Sequence, residues 1–263
     1  MKARVRGASA LLAVVASIAA VSATLPAVSP AAATSSDYAL ATQTLPDGHK
    51  VVARWDPCRT ITYSVNARYA AGKSSHRNAA IRDVQAAFAR ASVATGINFK
   101  YVGSTTQIPT NTSANRWYER QNSAEIVVSW VRQGSSASRS SLLSRVGRGS
   151  AAGTGGYAFK YWKVTGSPWT GVTGRGFVVL DGSQIGTFKA GFGSGSTRGA
   201  LLLHEIGHSL GLLHVGSTSQ VMYPTVLPRS YAGYATGDRN GLRHLGTASG
   251  CVNAPGWVWT DLS

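Results

Sequence analysis

Residues 204 to 214 read His-Glu-Ile-Gly-His-Ser-Leu-Gly-Leu-Leu-His, and this stretch holds the residue types from which a catalytic metal site is built. His204 and His208 lie four positions apart, so on a helix both imidazoles leave the same face, one turn from each other, and can share one ion. Glu205 follows the first of them directly, which puts its carboxylate beside the ion, where it can polarise a bound water instead of acting as a ligand. Gly211 has no Cβ and can take the left-handed conformation that ends a helix, so the chain can turn back and bring His214 to the same point. Three neutral nitrogens leave the fourth position of a tetrahedral zinc open. That is the arrangement of a catalytic site, whereas a structural zinc is closed by four protein ligands.

The extension beyond HExxH makes the motif specific: a glycine three residues after the second histidine, a third histidine three further on, and Met222 eight beyond that. The pattern HExxHxxGxxH, carried by His204, Glu205, His208, Gly211 and His214, resembles that of the metzincin metalloendopeptidases. Val221-Met222-Tyr223-Pro224 is similar to their methionine turn. That wording, with Asp238, Gly241, Leu242, Leu245 and Gly246 further along, resembles the matrixin branch. The resemblance implies hydrolysis of protein or peptide substrates with one catalytic Zn2+, Glu205 as general base, Gly211 at the turn and Met222 as an apolar floor under the imidazoles. It also implies that Tyr157 to Trp162 is an antiparallel edge strand bordering the cleft. Tyr157 and Phe159 are therefore candidate substrate-binding residues, since an edge can take an extended peptide into the sheet. Packing of the core by the same aromatic residues is the alternative, and alternate faces can serve both. Tyr223 lies one residue after the methionine, where astacin-like relatives have their oxyanion-stabilising tyrosine two after it. It reads as packing or as a wall of the substrate pocket that Pro224 and the residues up to Tyr231 shape. The segment before the edge strand lacks the histidine and aspartate set that holds structural zinc and calcium in matrixins, so calcium dependence is not expected.

The elements that must position these residues follow an α/β order. Thr60 to Val65 alternates as a strand with one buried face does, and from about Ser75 to Ala94 the apolar Ile81, Val84, Phe88 and Ala91 recur at helical spacing. Residues 97–102 and 125–131 read as further strands, 134–156 as a Ser/Gly/Arg-rich loop, 157–162 as the edge strand and 176–181 as a last strand. Thr197 is placed to cap the helix of the first two histidines. With the resemblance, the expected fold is an α/β zincin: a twisted, mostly parallel five-stranded sheet with an antiparallel edge strand, two main helices, and a smaller C-terminal subdomain with a terminal helix.

Lys2, Arg4 and Arg6, the apolar run over 8–23 and the small residues after it have the layout of a secretory signal peptide, with Ala31-Ala32-Ala33 or Val21-Ser22-Ala23 as cleavage site. No other segment is apolar and long enough to span a bilayer. The reading divides the chain into a signal peptide over 1–33, an N-terminal arm over 34–50 and a catalytic domain over 51–263, expected to be a secreted, extracellular monomer. In an exported protein the two cysteines, Cys58 and Cys251, are expected to pair, worth roughly 4 to 5 kcal/mol on the chain-entropy view. Two free thiols, or one thiol as an inhibitory zinc ligand, is the alternative. The formal net charge of +16 falls to +13 without the three basic leader residues, and the remaining basic residues are scattered singly. No nucleic-acid binding is expected from that distribution, while contact with an anionic cell wall would suit it. Two rival functions follow: a hydrolase of cell-wall peptide, and a non-catalytic cationic cell-surface binding protein with structural zinc. The retained glutamate and missing fourth ligand count against the second.

Overall fold

The runs of β-branched residues lie side by side as strands because their side chains pack well on a pleated, buried surface. In the computed structural model, which describes residues 11–15, 37–70, 74–112, 115–119, 124–143, 151–229 and 231–256, six strands form one sheet. They are β1 (Leu11–Val15), β2 (Ile61–Asn66), β3 (Phe99–Ser104), β4 (Ile126–Val131), β5 (Gly153–Trp162) and β6 (Thr170–Asp181). Their order is β1-β5-β6-β4-β2-β3. From β6 to β3 all neighbours are parallel, and β5 runs antiparallel to β6. The expected five strands and antiparallel edge are therefore present, with Leu11–Val15 added antiparallel along the outer side of β5. The rest of the proposed signal peptide lies outside the described residues.

Helix α1 (Ser74–Thr95) and helix α2 (Arg198–Leu210) share one face of the sheet. Val84, Phe88 and Ala91 of α1, Leu202, Leu203 and Ile206 of α2, and Ile61, Val65, Val128 and Val178 of the strands are fully buried together. Phe88 stacks on Tyr63 with ring centroids 4.0 Å apart. The opposite face is covered by Trp117, Tyr118, Leu142 and Leu143, packed on Phe177 and Val179. Strand β4 is buried along its whole length, as expected for a central parallel strand with both faces covered. A third helix, α3 (Thr236–Leu245), closes the C-terminal part. Among the described residues no helix is long and apolar enough to cross a membrane.

Two elements depart from the sequence expectation. Strand β5 begins at Gly153, inside the expected loop, and β6 begins at Thr170. The glycines that suggested a loop admit α2: a Cβ at Gly155 would lie 1.9 Å from the Glu205 carbonyl oxygen, and close approach of a second backbone is a recognised use of glycine in a strand. From Asp37 onward the N-terminal arm is built into the fold. Ala39–Leu40 pairs with Leu212–Leu213, and Thr42–Thr44 with Lys50–Val52.

Cys58 and Cys251 are bonded, with Cα atoms 5.4 Å apart across 193 residues of sequence. Asp56 braces both sides, since its carboxylate accepts from the N–H of Cys58 and of Val252. Replacing both cysteines with serine is expected to lower unfolding free energy by about 2 to 5 kcal/mol. Chemical denaturation of the two chains measures this, and coincident curves would contradict it.

Candidate metal centre

The helix that carries the motif is held at each end. Its N-cap Thr197 accepts from the Ala200 N–H at 3.1 Å, satisfying one of the first-turn donors that have no intrahelical partner. Arg198 donates to Asp83 of α1 at 2.7 Å, which ties the first turn to the neighbouring helix. At the far end Gly211 takes φ 111°, and its N–H returns to the carbonyls of Gly207 and His208. The left-handed turn foreseen from the sequence is thus the element that reverses the chain toward His214.

The three imidazoles converge. Nε2 of His204 lies 3.2 Å from Nε2 of His208, and Nε2 of His214 lies 3.0 Å from each of them. Their other ring nitrogens settle the protonation. Nδ1 of His204 is 2.8 Å from the Val221 carbonyl, and Nδ1 of His208 is 2.9 Å from the Leu212 carbonyl. A carbonyl only accepts, so each of these Nδ1 atoms carries the proton and donates it, leaving the Nε2 lone pairs directed at each other. Lone pairs at such separations repel unless a cation lies between them. All three corners of a triangle this size are within a zinc–nitrogen bond, about 2.0 to 2.1 Å, of one point above it. The donor set therefore fits a zinc ion.

The surroundings favour the metal-binding protonation state. Burial lowers the pKa of His204, and burial together with the neighbouring imidazoles lowers that of His208 well below the ordinary value. His214, the most exposed of the three, is lowered to about 4 by burial and by His204. Glu205 is buried, which pushes its carboxyl up to about 8 against the pull of a hydrogen bond from the Gly155 N–H. A Cβ at Gly153 would come 2.9 Å from its Oε1, so a side chain there would crowd the carboxylate. A dication bound beside it would favour the ionised form.

Met222 is 1% exposed, and a Cβ at Gly207 would lie 2.5 Å from its sulfur. Asp238 of α3 holds the backbone around it. One carboxylate oxygen of Asp238 accepts from the N–H groups of Val221 at 2.7 Å and Ala235 at 3.0 Å, and the other from that of Met222 at 3.2 Å. Val221 thus receives Asp238 on its amide side and His204 on its carbonyl side, linking α3 to the first histidine of the motif. Residues 158–246, which contain the histidines, Met222 and Asp238, match the matrixin family of the M10 peptidases. Over this segment the chain is similar to the matrixins. Matrixins are metallopeptidases that use zinc, and the three histidines are a group able to hold that ion. No curated protein matches the chain.

The other candidate residues separate by position. Tyr157 and Phe159 lie on β5, but their side chains are buried with Ala41, Leu45 and Ala53. Gln43 donates to the Tyr157 hydroxyl at 3.2 Å. Only their backbone follows the strand edge. Tyr223 is partly exposed and Pro224 exposed next to the methionine turn. Asp56 lies close to the sulfurs of Cys58 and Cys251, but both sulfurs are used in the disulfide. Asp238 appeared in the sequence only as part of a helix pattern; its carboxylate three positions into a helix was the local sign that it could bind backbone donors. The shielding of Glu205 by Gly153 and Gly155 had no sign beyond the glycines themselves.

Because the free imidazoles hold protons only well below the usual histidine range, protons compete with zinc only as pH falls toward about 4. Zinc content after dialysis at stepped pH is expected to stay constant from neutrality to pH ~5 and fall below that. Loss of zinc near the ordinary histidine pKa of about 6.5 would contradict this reading of the site.

Proposed function

We propose that this protein is a secreted zinc-dependent endopeptidase in which Glu205 is the general base. The observation that carries the proposal is the meeting of three Nε2 atoms, two with their Nδ1 protons committed to backbone carbonyls, with the buried Glu205 on the same helix as two of them. A zinc ion held by His204, His208 and His214 would supply Lewis-acid activation of the scissile carbonyl and of the attacking water. Glu205 accepts the proton of the attacking water and passes it to the leaving amine, so no covalent intermediate with the protein is needed. Its buried setting suits this exchange, since a carboxyl that is not strongly acidic both takes and returns a proton near neutral pH. His204, His208 and His214 are the proposed ligands, Gly211 and Met222 support them, and Cys58–Cys251 suits an oxidising compartment.

An extended substrate would join the sheet at β5. The antiparallel register of Leu11–Val15 against Gly156–Lys160 supports the capacity of that edge for a peptide in the same place. Removal of the leader would vacate it, leaving the monomer open to substrate. The net charge of +16 favours one second reading, hydrolysis of peptide within an anionic cell wall. Parallel digestion of casein and purified wall separates the two.

Glu205→Gln is expected to reduce hydrolysis on the order of 10² to 10⁴-fold while bound zinc, measured by elemental analysis, stays at the wild-type level. Wild-type turnover by that variant would refute the assignment. A chelator should abolish activity and added zinc restore it. A chain beginning at residue 34 is expected to cleave casein faster than the full chain under identical conditions, and equal rates would show that the leader leaves the edge accessible.

A further inference from the structure

The carbonyl end of α2 and the turn after it are partnered by residues far from the motif. The indole N–H of Trp55 donates to the Ser209 carbonyl at 2.9 Å. The Ala41 N–H donates to the Gly211 carbonyl at 2.8 Å, and Ala53 donates back to Ala41 at 2.8 Å. Leu40 and Ala39 pair with Leu212 and Leu213, so the strand next to the ligand-bearing turn is one half of a ladder whose other half is the N-terminal arm. The approach is close: a Cβ at Gly211 would lie 2.5 Å from the Ala53 carbonyl oxygen. Trp55 is 1% exposed, and the carbonyl of its neighbour Arg54 accepts from Thr173 of β6, so the arm is itself anchored on the sheet.

We infer that Trp55, with the Ala39–Ala41 segment, is a positioning device for the metal centre, setting where the turn after α2 delivers His214 and the Leu212 carbonyl. The last carbonyls of a helix have no intrahelical partner. At α2 the Ser209 carbonyl is satisfied by Trp55. The Leu212 carbonyl that fixes the His208 tautomer sits in the two-residue ladder with Leu40. Two of the three ligands are therefore oriented by groups from residues 39–55. Partners that orient ligands in this way typically change metal affinity by about 10- to 100-fold when lost.

The inference rests on the assignment of His204, His208 and His214 as the zinc ligands, and the test separates the two. Trp55→Phe keeps an aromatic ring in the core and removes the donor to Ser209. Leu45→Ala removes a buried side chain from the arm at a point that makes no bond to α2 or its turn. Zinc affinity by chelator competition and the visible spectrum of the cobalt-substituted protein are measured for wild type and both variants. Trp55→Phe is expected to bind zinc roughly tenfold more weakly and to shift the cobalt spectrum, while Leu45→Ala lowers thermal stability and leaves both readouts at wild type. Wild-type affinity and spectrum in Trp55→Phe overturn the inference. Equal weakening by Leu45→Ala overturns it as well, since the effect would then be general destabilisation. A wild-type chain that binds neither metal would instead overturn the ligand assignment.

Discussion

Three imidazole lone pairs meeting at about 3 Å are the constraint from which the rest of the structure can be understood. Without a cation between them they repel, so the protein has to hold them together by other means before an ion arrives. It does so with backbone carbonyls that take the Nδ1 protons of His204 and His208. Each of those carbonyls must then be held in turn. Val221 is fixed through Asp238, and Leu212 sits in the ladder with Leu40. The site is therefore a set of nested supports, in which the ligands are held by carbonyls and the carbonyls by a helix on one side and the N-terminal arm on the other.

The same demand accounts for several otherwise unrelated choices of residue. Gly207 makes room for the methionine sulfur, Gly211 for the left-handed turn under Ala53, and Gly155 for the backbone of Glu205 against the sheet. At each of these positions a Cβ would collide with an atom packed around the histidine-bearing helix. The buried Asp238 is tolerated for a similar reason. Burial raises its pKa, the backbone donors around it oppose that shift, and their number makes a carboxylate an acceptable core group there. The disulfide, braced by Asp56 and by Arg54 bonds to the Ser249 and Gly250 carbonyls, joins the start of the domain to its last residues. Both flanks of the site are thereby tied into one unit.

The convergence of the three histidines and the left-handed glycine of the turn were legible in the sequence because they depend on spacing along one local segment. A helix repeats every 3.6 residues whatever surrounds it, so His204 and His208 had to share a face. Thr197 as cap and α1 with its Val84, Phe88 and Ala91 stripe were legible on the same grounds, whereas the mostly parallel sheet followed from the family resemblance. The departures occurred where a residue's meaning depended on a distant neighbour. The Gly-rich start of β5 reads as loop until α2 is laid against it, and the side chains of Tyr157 and Phe159 face the arm instead of the cleft.

What the sequence alone determined is the local chemistry: which histidine nitrogens can share one point in space, and where the chain must turn. What only the tertiary structure decided is the protonation and support of that chemistry. The proton on His204 is placed by Val221, the one on His208 by Leu212, and the end of their helix by Trp55, which lies 154 positions before its partner. Hydrogen bonds of this kind carry no local periodicity, because donor and acceptor meet only when separate elements pack together.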